Sequence, residues 1–331
     1  MKRHRTRRAR GSALVVVVAL LTVLTAIKIT ELVNSTSASA NEGRPASRSG
    51  QSAGGPASGS GIATPAPSPT TPSTATAAAV STEVAQLTAA LPTGGVSIDA
   101  LNTATGASFR YGATSGMNTG SIIKLDIIET LLLQHQDTGT PLSAAENSEA
   151  TTMIENSDND SAQDLWVDVG SDQAVALANK TLGPTPDTVP GTDDYWGLTT
   201  TDAPDQVTLL KNLVSAKSPL DAASQEYVLS LMRQVEADQR WGVGVIADPG
   251  TTFANKNGWL AVDADNDLWL VNSDGIVTVD GQQVLISVLT QHDSDFDTGI
   301  DLVQALARAV VPAVVLTVSA RSQGTTASPA E

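Results

Sequence analysis

The segment Ser121–Gln134, SIIKLDIIETLLLQ, constrains the fold more strongly than any other part of the chain. Its apolar residues cover almost the whole circumference of a helix, so the pattern predicts a helix that is buried on all sides. A second run, VLISVLT at 284–290, is nearly continuous in apolar residues. Such a run is typical of a central strand that is covered on both faces. The chain therefore needs a sheet with helices packed against it.

The order of the remaining patterns predicts the architecture. Strands are predicted near 96–101 and 108–111, then a long helical block, then strands near 252–262, 268–272 and 283–290, and a final helix over 296–310. Two strands, helices, three strands and a helix indicate an α+β fold. We expect a five-stranded antiparallel sheet that is flanked by helices on both faces.

The first 40 residues have the composition of a targeting segment. Six of the 19 Lys and Arg residues lie within the first ten positions, and 12–27 form an uncharged apolar run. This pattern is typical of a signal peptide or an N-terminal membrane anchor, and Ala38–Ala40 offers a cleavage site. Both alternatives place the body outside the cytoplasm, because the basic cluster stays inside. Residues 41–80 and 318–331 are predicted to be a disordered linker and tail, which leaves 81–317 as the folded domain.

Composition excludes several functions. The chain has no cysteine, which excludes a disulfide scaffold, a cysteine zinc site and lipid attachment to cysteine. Its net charge of −16 disfavours binding to nucleic acid phosphates. Three histidines leave little material for a metal site. We therefore expect a monomer without metal or cofactor that acts on a small-molecule or peptide substrate.

Ser121 and Lys124 are the first candidate catalytic pair. They lie three residues apart at the start of the buried helix, so they share one face. Burial would lower the pKa of the lysine towards that of a general base. The free N–H groups of a helix N-terminus would favour an oxyanion beside the serine, as an activated nucleophile requires. In the alternative interpretation, Ser121 only caps the helix and Lys124 extends to solvent.

Two further short motifs follow along the chain. Ser157–Asn159 lies in a polar break between helical patterns, where a hydroxyl, a carboxylate and an amide could face a pocket. The alternative is an ordinary helix cap with an Asx turn. Lys256–Gly258 opens the first late strand with a cation, an amide and a glycine at which the backbone could approach another segment closely. The alternative is an exposed edge strand that carries a lysine.

Together, the order Ser-x-x-Lys, Ser-Asp-Asn and Lys-x-Gly resembles the penicillin-recognising serine hydrolases, and class A β-lactamases most closely. Thr199–Thr201, followed by a helical pattern, is similar to the Thr-rich segment after the omega loop of that class. The resemblance covers about residues 81–317. It implies a β-lactamase/transpeptidase-like fold and acyl transfer through a serine ester, on β-lactams or on amides like cell-wall peptides. A binding module without turnover and a carboxypeptidase-like or esterase-like activity stay open.

The resemblance also implies a role for each motif residue. Ser121 would be acylated, Lys124 would take its proton, and Ser157 would pass a proton to the leaving nitrogen. Lys256 would bind a substrate carboxylate or tune Ser157. The backbone N–H groups of Ser121 and Trp259 would form the oxyanion hole. The implied substrate-binding residues are Asn159, Lys256, Asn257, Gly258 and Trp259.

The chain departs from the class A pattern at two sites. A glutamate of the omega loop activates the deacylating water in that class, and here no glutamate lies between Glu155 and Glu226. Asp187, Asp193 or Asp194 could replace it, although each is one methylene shorter. The third motif has Asn257 in place of threonine or serine, and the bulky Trp259 in place of a small residue. These changes predict slow turnover of β-lactams.

Other polar and aromatic residues have simpler interpretations. His292, close to Asp293 and Asp295, could join a Ser–His–Asp triad, but its place just after a strand favours a surface histidine. The acidic segment 263–267 lacks the glycine and glutamate of an EF-hand and is predicted to be a hairpin turn. The tryptophans are predicted to line the core or a pocket, namely Trp166, Trp196, Trp241 and Trp269.

Overall fold

The computed structural model describes residues 74–192, 195–262 and 265–315. The targeting segment, the tail, most of the linker, and Asp193 and Asp194 lie outside the described residues. Within the described residues, no helix is long and apolar enough to cross a membrane.

Most of the described strands form one sheet with the order β2-β1-β7-β6-β5, in which every neighbouring pair is antiparallel. Two short strands, β3 and β4, pair separately. The strands are β1 (Val96–Asn102), β2 (Ser108–Gly112), β3 (Met117–Asn118), β4 (Thr200–Thr201), β5 (Ala254–Val262), β6 (Leu268–Val279) and β7 (Gln282–Asp293). The predicted α+β fold with a five-stranded antiparallel sheet is confirmed.

Helices cover both faces of this sheet. One core joins α1 and α8 to one face, and a second core joins the block α2–α7 to the other. The helices are α1 (Thr74–Leu87), α2 (Ile123–Thr138), α3 (Ala144–Glu155), α4 (Asn159–Val169), α5 (Ser171–Leu182), α6 (Ala203–Asn212), α7 (Ala222–Met232) and α8 (Phe296–Val314).

The two segments that constrained the fold occupy its centre. Residues 123–133 of α2 are all buried, as the apolar pattern predicted. In β7, Leu285 faces the α2–α7 block, whereas Val284 and Ile286 face α1 and α8. This alternation follows from the period of two residues in a strand, and it explains why nearly the whole run is apolar.

Two boundaries differ from the sequence prediction by more residues than the others. Helix α1 begins at Thr74, so the linker that was predicted to end at residue 80 overlaps its first seven residues. The segment TATAAAV is rich in alanine, which favours a helix once Val80 and Val84 can be buried. Strand β6 continues to Val279 rather than ending near residue 272, because the polar residues 272–274 are buried inside the strand.

Candidate active site

The start of α2 places Ser121 and Lys124 side by side. A 3-10 turn over Gly120–Ile122 leads directly into the helix, with Ser121 in the turn and Lys124 in the first helical turn. The Nζ atom of Lys124 donates to Ser121 Oγ at 3.0 Å. The Lys124 side chain is fully buried, which excludes the interpretation that it extends to solvent. Burial lowers the pKa of Lys124 to about 7, although the nearby Asp158 opposes the shift.

The loop between α3 and α4 directs its polar atoms at the same lysine. Asp158 caps α4 by accepting from the Ser161 backbone N–H at 2.7 Å, and Ser157 adopts a positive φ of 55°. Lys124 Nζ donates to Ser157 O at 2.6 Å, to Asn159 Oδ1 at 2.8 Å and to Ser157 Oγ at 3.2 Å. The Asp158 cap therefore holds the loop so that Ser157 and Asn159 face Lys124. A positive φ such as that of Ser157 is frequent at functional sites.

Strand β5 at the edge of the sheet supplies a second buried lysine. Lys256 Nζ donates to Ser157 Oγ at 2.9 Å and to the Asn257 carbonyl at 2.9 Å. Its side chain is 1% exposed, so the alternative of an edge strand with an exposed lysine does not apply. Burial lowers the pKa of Lys256 well below its usual value, and the neighbouring Lys124 lowers it further. The Ser157 hydroxyl therefore lies between two amines.

An aspartate that sequence reasoning missed lies across the sheet from Lys256. Asp274 is the cross-strand partner of Lys256 on β6 and is fully buried. Burial raises the pKa of Asp274 to about 7 against the opposing effects of the Ser287 hydroxyl and of Lys256. The local pattern hid this residue, because the polar run Asn272–Asp274 indicated that the strand ended near residue 272.

Two glycines bring β5 into contact with the turn that carries the nucleophile. A Cβ atom added at Gly258 would lie 2.6 Å from Thr119 O and 2.7 Å from Ser121 N. A Cβ atom added at Gly120 would lie 3.1 Å from Trp259 N. The predicted close approach at Gly258 is confirmed, and it brings the backbone nitrogens of Ser121 and Trp259 to the same end of the site.

Asn257 requires a correction. Its Nδ2 donates to Gln239 O at 2.9 Å and to Trp241 O at 3.1 Å, while its Oδ1 accepts from Ser273 Oγ at 2.7 Å. These bonds use both amide hydrogens, and the residue is 1% exposed. The structure therefore does not support Asn257 as a substrate-binding residue. Successive side chains of a strand point in opposite directions. Lys256 therefore reaches Ser157, whereas Asn257 points to the segment around Gln239.

A cavity of about 220 Å³ lies against the nucleophile. The Trp196 ring lies over Lys124 Nζ, 5.1 Å from its centroid, and the indole N–H of Trp196 donates to Gln163 Oε1 at 3.0 Å. Trp196 thus fulfils the prediction of a pocket wall, whereas the roles of Tyr195, Leu198 and Leu260 were not anticipated. The lining residues are Gly120, Ser121, Asn159, Tyr195, Trp196, Gly197, Leu198, Trp259 and Leu260.

The other proposed polar partners that the structure describes do not line this cavity. No carboxylate is among its described lining residues, and the exposed Asp187 lines a different cavity. His292 Nδ1 forms a hydrogen bond with Asp265, while Ser121 Oγ is bonded to a lysine, so the described residues form no Ser–His–Asp triad.

A family model described as the β-lactamase enzyme family matches residues 132–314, which is more than half of the chain. The chain belongs to the β-lactamase enzyme family. The match begins after Lys124, so membership of the family does not depend on the Ser121–Lys124 pair.

Curated and solved relatives agree with this family and its fold. LppW of Mycobacterium tuberculosis, a candidate lipoprotein by its name, is 26% identical over 235 residues, which cover 68% of this chain and 73% of LppW. The TLA-1 extended-spectrum β-lactamase superposes with a TM-score of 0.62 at 15% identity over 71% of this chain and 97% of its own. PBP-A gives 0.60 at 20% identity over 70% and 94%, respectively. These structural similarities show the β-lactamase/transpeptidase-like fold. They do not show an activity, because one fold can host several functions.

Proposed function

We propose that this protein is a serine hydrolase that transfers an acyl group through an ester on Ser121. The supporting observation is the hydrogen-bonded chain in which Lys124 Nζ contacts Ser121 Oγ at 3.0 Å and Ser157 Oγ lies between Lys124 and Lys256. A nucleophile, a base of lowered pKa and a second hydroxyl for proton transfer are the groups that acyl transfer requires. Candidate substrates are β-lactams, and amides or esters related to cell-wall peptides.

Acylation would proceed in two balanced steps. The Ser121 oxygen attacks the substrate carbonyl carbon while its proton moves to neutral Lys124. The negative carbonyl oxygen would accept from the backbone N–H groups of Ser121 and Trp259. The bond between the carbonyl carbon and the leaving nitrogen or oxygen then breaks. The leaving atom takes a proton from Ser157, which regains one from Lys124, so the lysine is neutral again.

Deacylation is the step that this site supports least. Water must attack the Ser121 ester and give up a proton, which neutral Lys124 can accept before Ser121 regains it. The products are the acid and the free serine. None of the described lining residues is a carboxylate that could act as a second base. We therefore expect a long-lived acyl-enzyme, which favours a penicillin-binding or esterase-like activity over a fast β-lactamase.

We also propose that the protein acts outside the cytoplasm. The supporting observations are the basic and apolar residues at the N-terminus and the lipoprotein name of its relative. The lipid itself cannot be carried over from that name, because this chain has no cysteine for its attachment. A cleaved signal peptide and an N-terminal membrane anchor both agree with this location.

Intact-mass spectrometry of the full chain after incubation with a fluorescent penicillin tests the proposal, with Ser121→Ala as the control variant. We expect an adduct on the unaltered protein alone that persists after the free penicillin is removed. Hydrolysed penicillin without a persisting adduct would mean that deacylation is fast and that another base serves it. The absence of both, with esters as well as with penicillin, would favour a binding module without turnover.

A further inference from the structure

Trp196 covers the general base that the proposed function requires. Its ring centroid lies 5.1 Å from Lys124 Nζ, and the same nitrogen contacts oxygens of Ser121, Ser157 and Asn159. The Lys124 side chain is 0% exposed. The oxygens can exchange hydrogen bonds with the amine, whereas the ring carbons cannot take or give a proton. The side of the amine that the ring covers is therefore closed to proton transfer.

The ring is fastened at both ends. The indole N–H donates to Gln163 Oε1 at 3.0 Å, and the Trp196 carbonyl accepts from Thr199 N at 3.0 Å and from Thr199 Oγ1 at 2.7 Å. The Thr119 N–H donates to Thr199 O at 2.9 Å, which ties this turn to the one that carries Ser121. Hydrogen bonds at both ends hold a side chain in one position, so the ring stays over the base.

Hydrolysis of the Ser121 ester needs a water in contact with that base. The water oxygen bonds to the ester carbon, and its proton passes to neutral Lys124. The bond from that carbon to Ser121 Oγ then breaks as the serine regains the proton. A water between the ring and the amine would need a hydrogen bond of about 2.9 Å and a ring contact of about 3.5 Å. Together these exceed the 5.1 Å between Trp196 and Lys124 Nζ, so no water fits there.

Acylation does not need this space. Ser121 Oγ already lies 3.0 Å from Lys124 Nζ, so the serine proton passes directly to the amine. The ring therefore obstructs the second half of the reaction and leaves the first half open.

Resting on the proposed function, we infer that Trp196 prolongs the acyl-enzyme by excluding the hydrolytic water from Lys124. Removing the ring leaves a space beside the amine in which a water can donate to Gln163 Oε1 in place of the indole. Gln163 lies four residues after Asn159 on α4, so both side chains share the face of the helix that borders the base. The lifetime of the ester then depends on this ring as well as on the lack of a carboxylate in the cavity.

The lifetime of the penicillin adduct on the full chain tests this inference. The adduct is formed with the fluorescent penicillin, the free penicillin is removed, and the intact mass is followed with time. We expect Trp196→Ala to shorten the lifetime by about ten-fold or more, because a base that water can reach typically contributes about 10²–10⁴-fold to a rate. Trp196→Gln should act in the same direction, and it provides the test if Trp196→Ala does not fold.

Two further variants separate shielding from a loss of stability. Trp196→Phe retains an aromatic ring over the amine and should keep the lifetime within about three-fold of the unaltered value. Trp269→Ala removes a half-buried tryptophan of β6 that is not among the described lining residues, and it should leave the lifetime unchanged.

The pH dependence of deacylation gives a readout that stability alone would not move. Only neutral Lys124 accepts the water proton, so deacylation of Trp196→Ala should become faster as pH rises. Burial lowers the pKa of Lys124 to about 7, and the entry of solvent relieves that burial. The midpoint should therefore lie above pH 7.

The outcomes separate the inference from the function on which it rests. The absence of any adduct that Ser121→Ala abolishes overturns both. An adduct that lasts equally long on the unaltered protein, Trp196→Ala and Trp196→Gln overturns the inference and leaves the nucleophile in place. Rapid loss of the adduct from the unaltered protein, or equal shortening by Trp269→Ala, overturns it as well. A lifetime that Trp196→Ala shortens and Trp196→Phe preserves supports both.

Discussion

The two sides of the cavity beside Ser121 differ in polarity and in burial. One side is formed by Ser121 and Asn159, which are bonded to the buried Lys124, Ser157 and Lys256; we call these five residues the nucleophile wall. It consists of polar groups that share a continuous set of hydrogen bonds, and both of its lysines are almost completely buried. The remaining side, which we call the aromatic wall, consists of the apolar and aromatic lining residues Tyr195, Trp196, Leu198, Trp259 and Leu260. Tyr195, Leu198 and Leu260 among them are exposed.

The difference shows where this fold can vary. A buried polar network is stable only when every member has a partner, so replacing one member leaves another unsatisfied. Exposed apolar side chains can change with little effect on folding. We therefore expect the reaction type to depend on the nucleophile wall, and the choice of substrate to depend on the aromatic wall.

The largest effect should come from Lys124→Ala. The variant loses the group that takes the Ser121 proton, and general bases typically contribute about 10²–10⁴-fold to a rate. We expect acylation by the fluorescent penicillin to fall by about 10⁴-fold. The rate at which the adduct appears, followed by intact-mass spectrometry, measures the loss.

Lys211→Ala is the matched control, because Lys211 is an exposed lysine near the end of α6. It should acylate at the unaltered rate. If a folded Lys124→Ala protein acylated within about ten-fold of that rate, the assignment of Lys124 as the base would be wrong.

Gly258→Ala should have the next largest effect. Its added Cβ would lie within 2.7 Å of Ser121 N and Thr119 O, so β5 must move away from the turn that carries the nucleophile. Loss of one oxyanion donor typically costs about 10²–10³-fold. We expect the acylation rate to fall by about 10²-fold, with adduct formation as the readout.

Gly106→Ala separates this effect from general destabilisation. Gly106 has a φ of 73° in the turn between β1 and β2, and an added Cβ there would contact nothing within 4 Å. It should lower the melting temperature and leave the acylation rate unchanged. A loss of rate in both variants would mean that acylation follows stability rather than the geometry of the two glycines.

The sequence predicted the nucleophile wall better than the aromatic wall, for a physical reason. Lys124 inside an apolar helix violates a local pattern, so it was visible as a candidate without any tertiary information. Tyr195, Leu198 and Leu260 violate no pattern in their own segments. They become a site only because the turn Trp196–Leu198 and the edge strand β5 meet at Ser121.

The same limit explains the errors. Strand alternation shows that Lys256 and Asn257 point in opposite directions, but it does not show which one faces the nucleophile. Asp274 lies opposite Lys256 through the register of β5 and β6, which no local pattern reveals. The strand order and the helices on both faces, by contrast, follow from the few ways in which a buried helix and a central strand can be covered.

The pH dependence of acylation is the third prediction. Neutral Lys124 acts as the base, and its pKa is lowered to about 7, so the rate should rise with pH through about 7 and then become constant. Trp196→Glu places a carboxylate near Lys124 Nζ, which favours the charged amine and raises its pKa. We expect the midpoint to move upward by about one pH unit, which lowers the rate at pH 7 by about five-fold.

Trp196→Gln is the neutral counterpart, because it removes the same ring without adding a charge. The difference between the two midpoints isolates the effect of the carboxylate from that of solvent entry. Identical midpoints for the Glu and Gln variants would show that the group titrating in the rate is not beside position 196.

Asn257→Thr should have the smallest effect on acylation, although it installs a residue that is typical of class A enzymes. Thr cannot replace the two N–H bonds to the Gln239 and Trp241 carbonyls. We expect the free energy of unfolding in urea to fall by about 1–3 kcal/mol. The acylation rate should stay within about three-fold, because this side chain faces the fold and not the cavity.

Asn159→Ala provides the contrast, since Asn159 lines the cavity and accepts from Lys124 at 2.8 Å. It should slow acylation by at least about ten-fold, because it removes an acceptor that holds the base in place. If Asn257→Thr instead increased penicillin acylation by more than about ten-fold, position 257 would reach the substrate. The nucleophile wall would then no longer fix the reaction alone, and the aromatic wall would no longer select the substrate alone, because residues of both walls lie on β5.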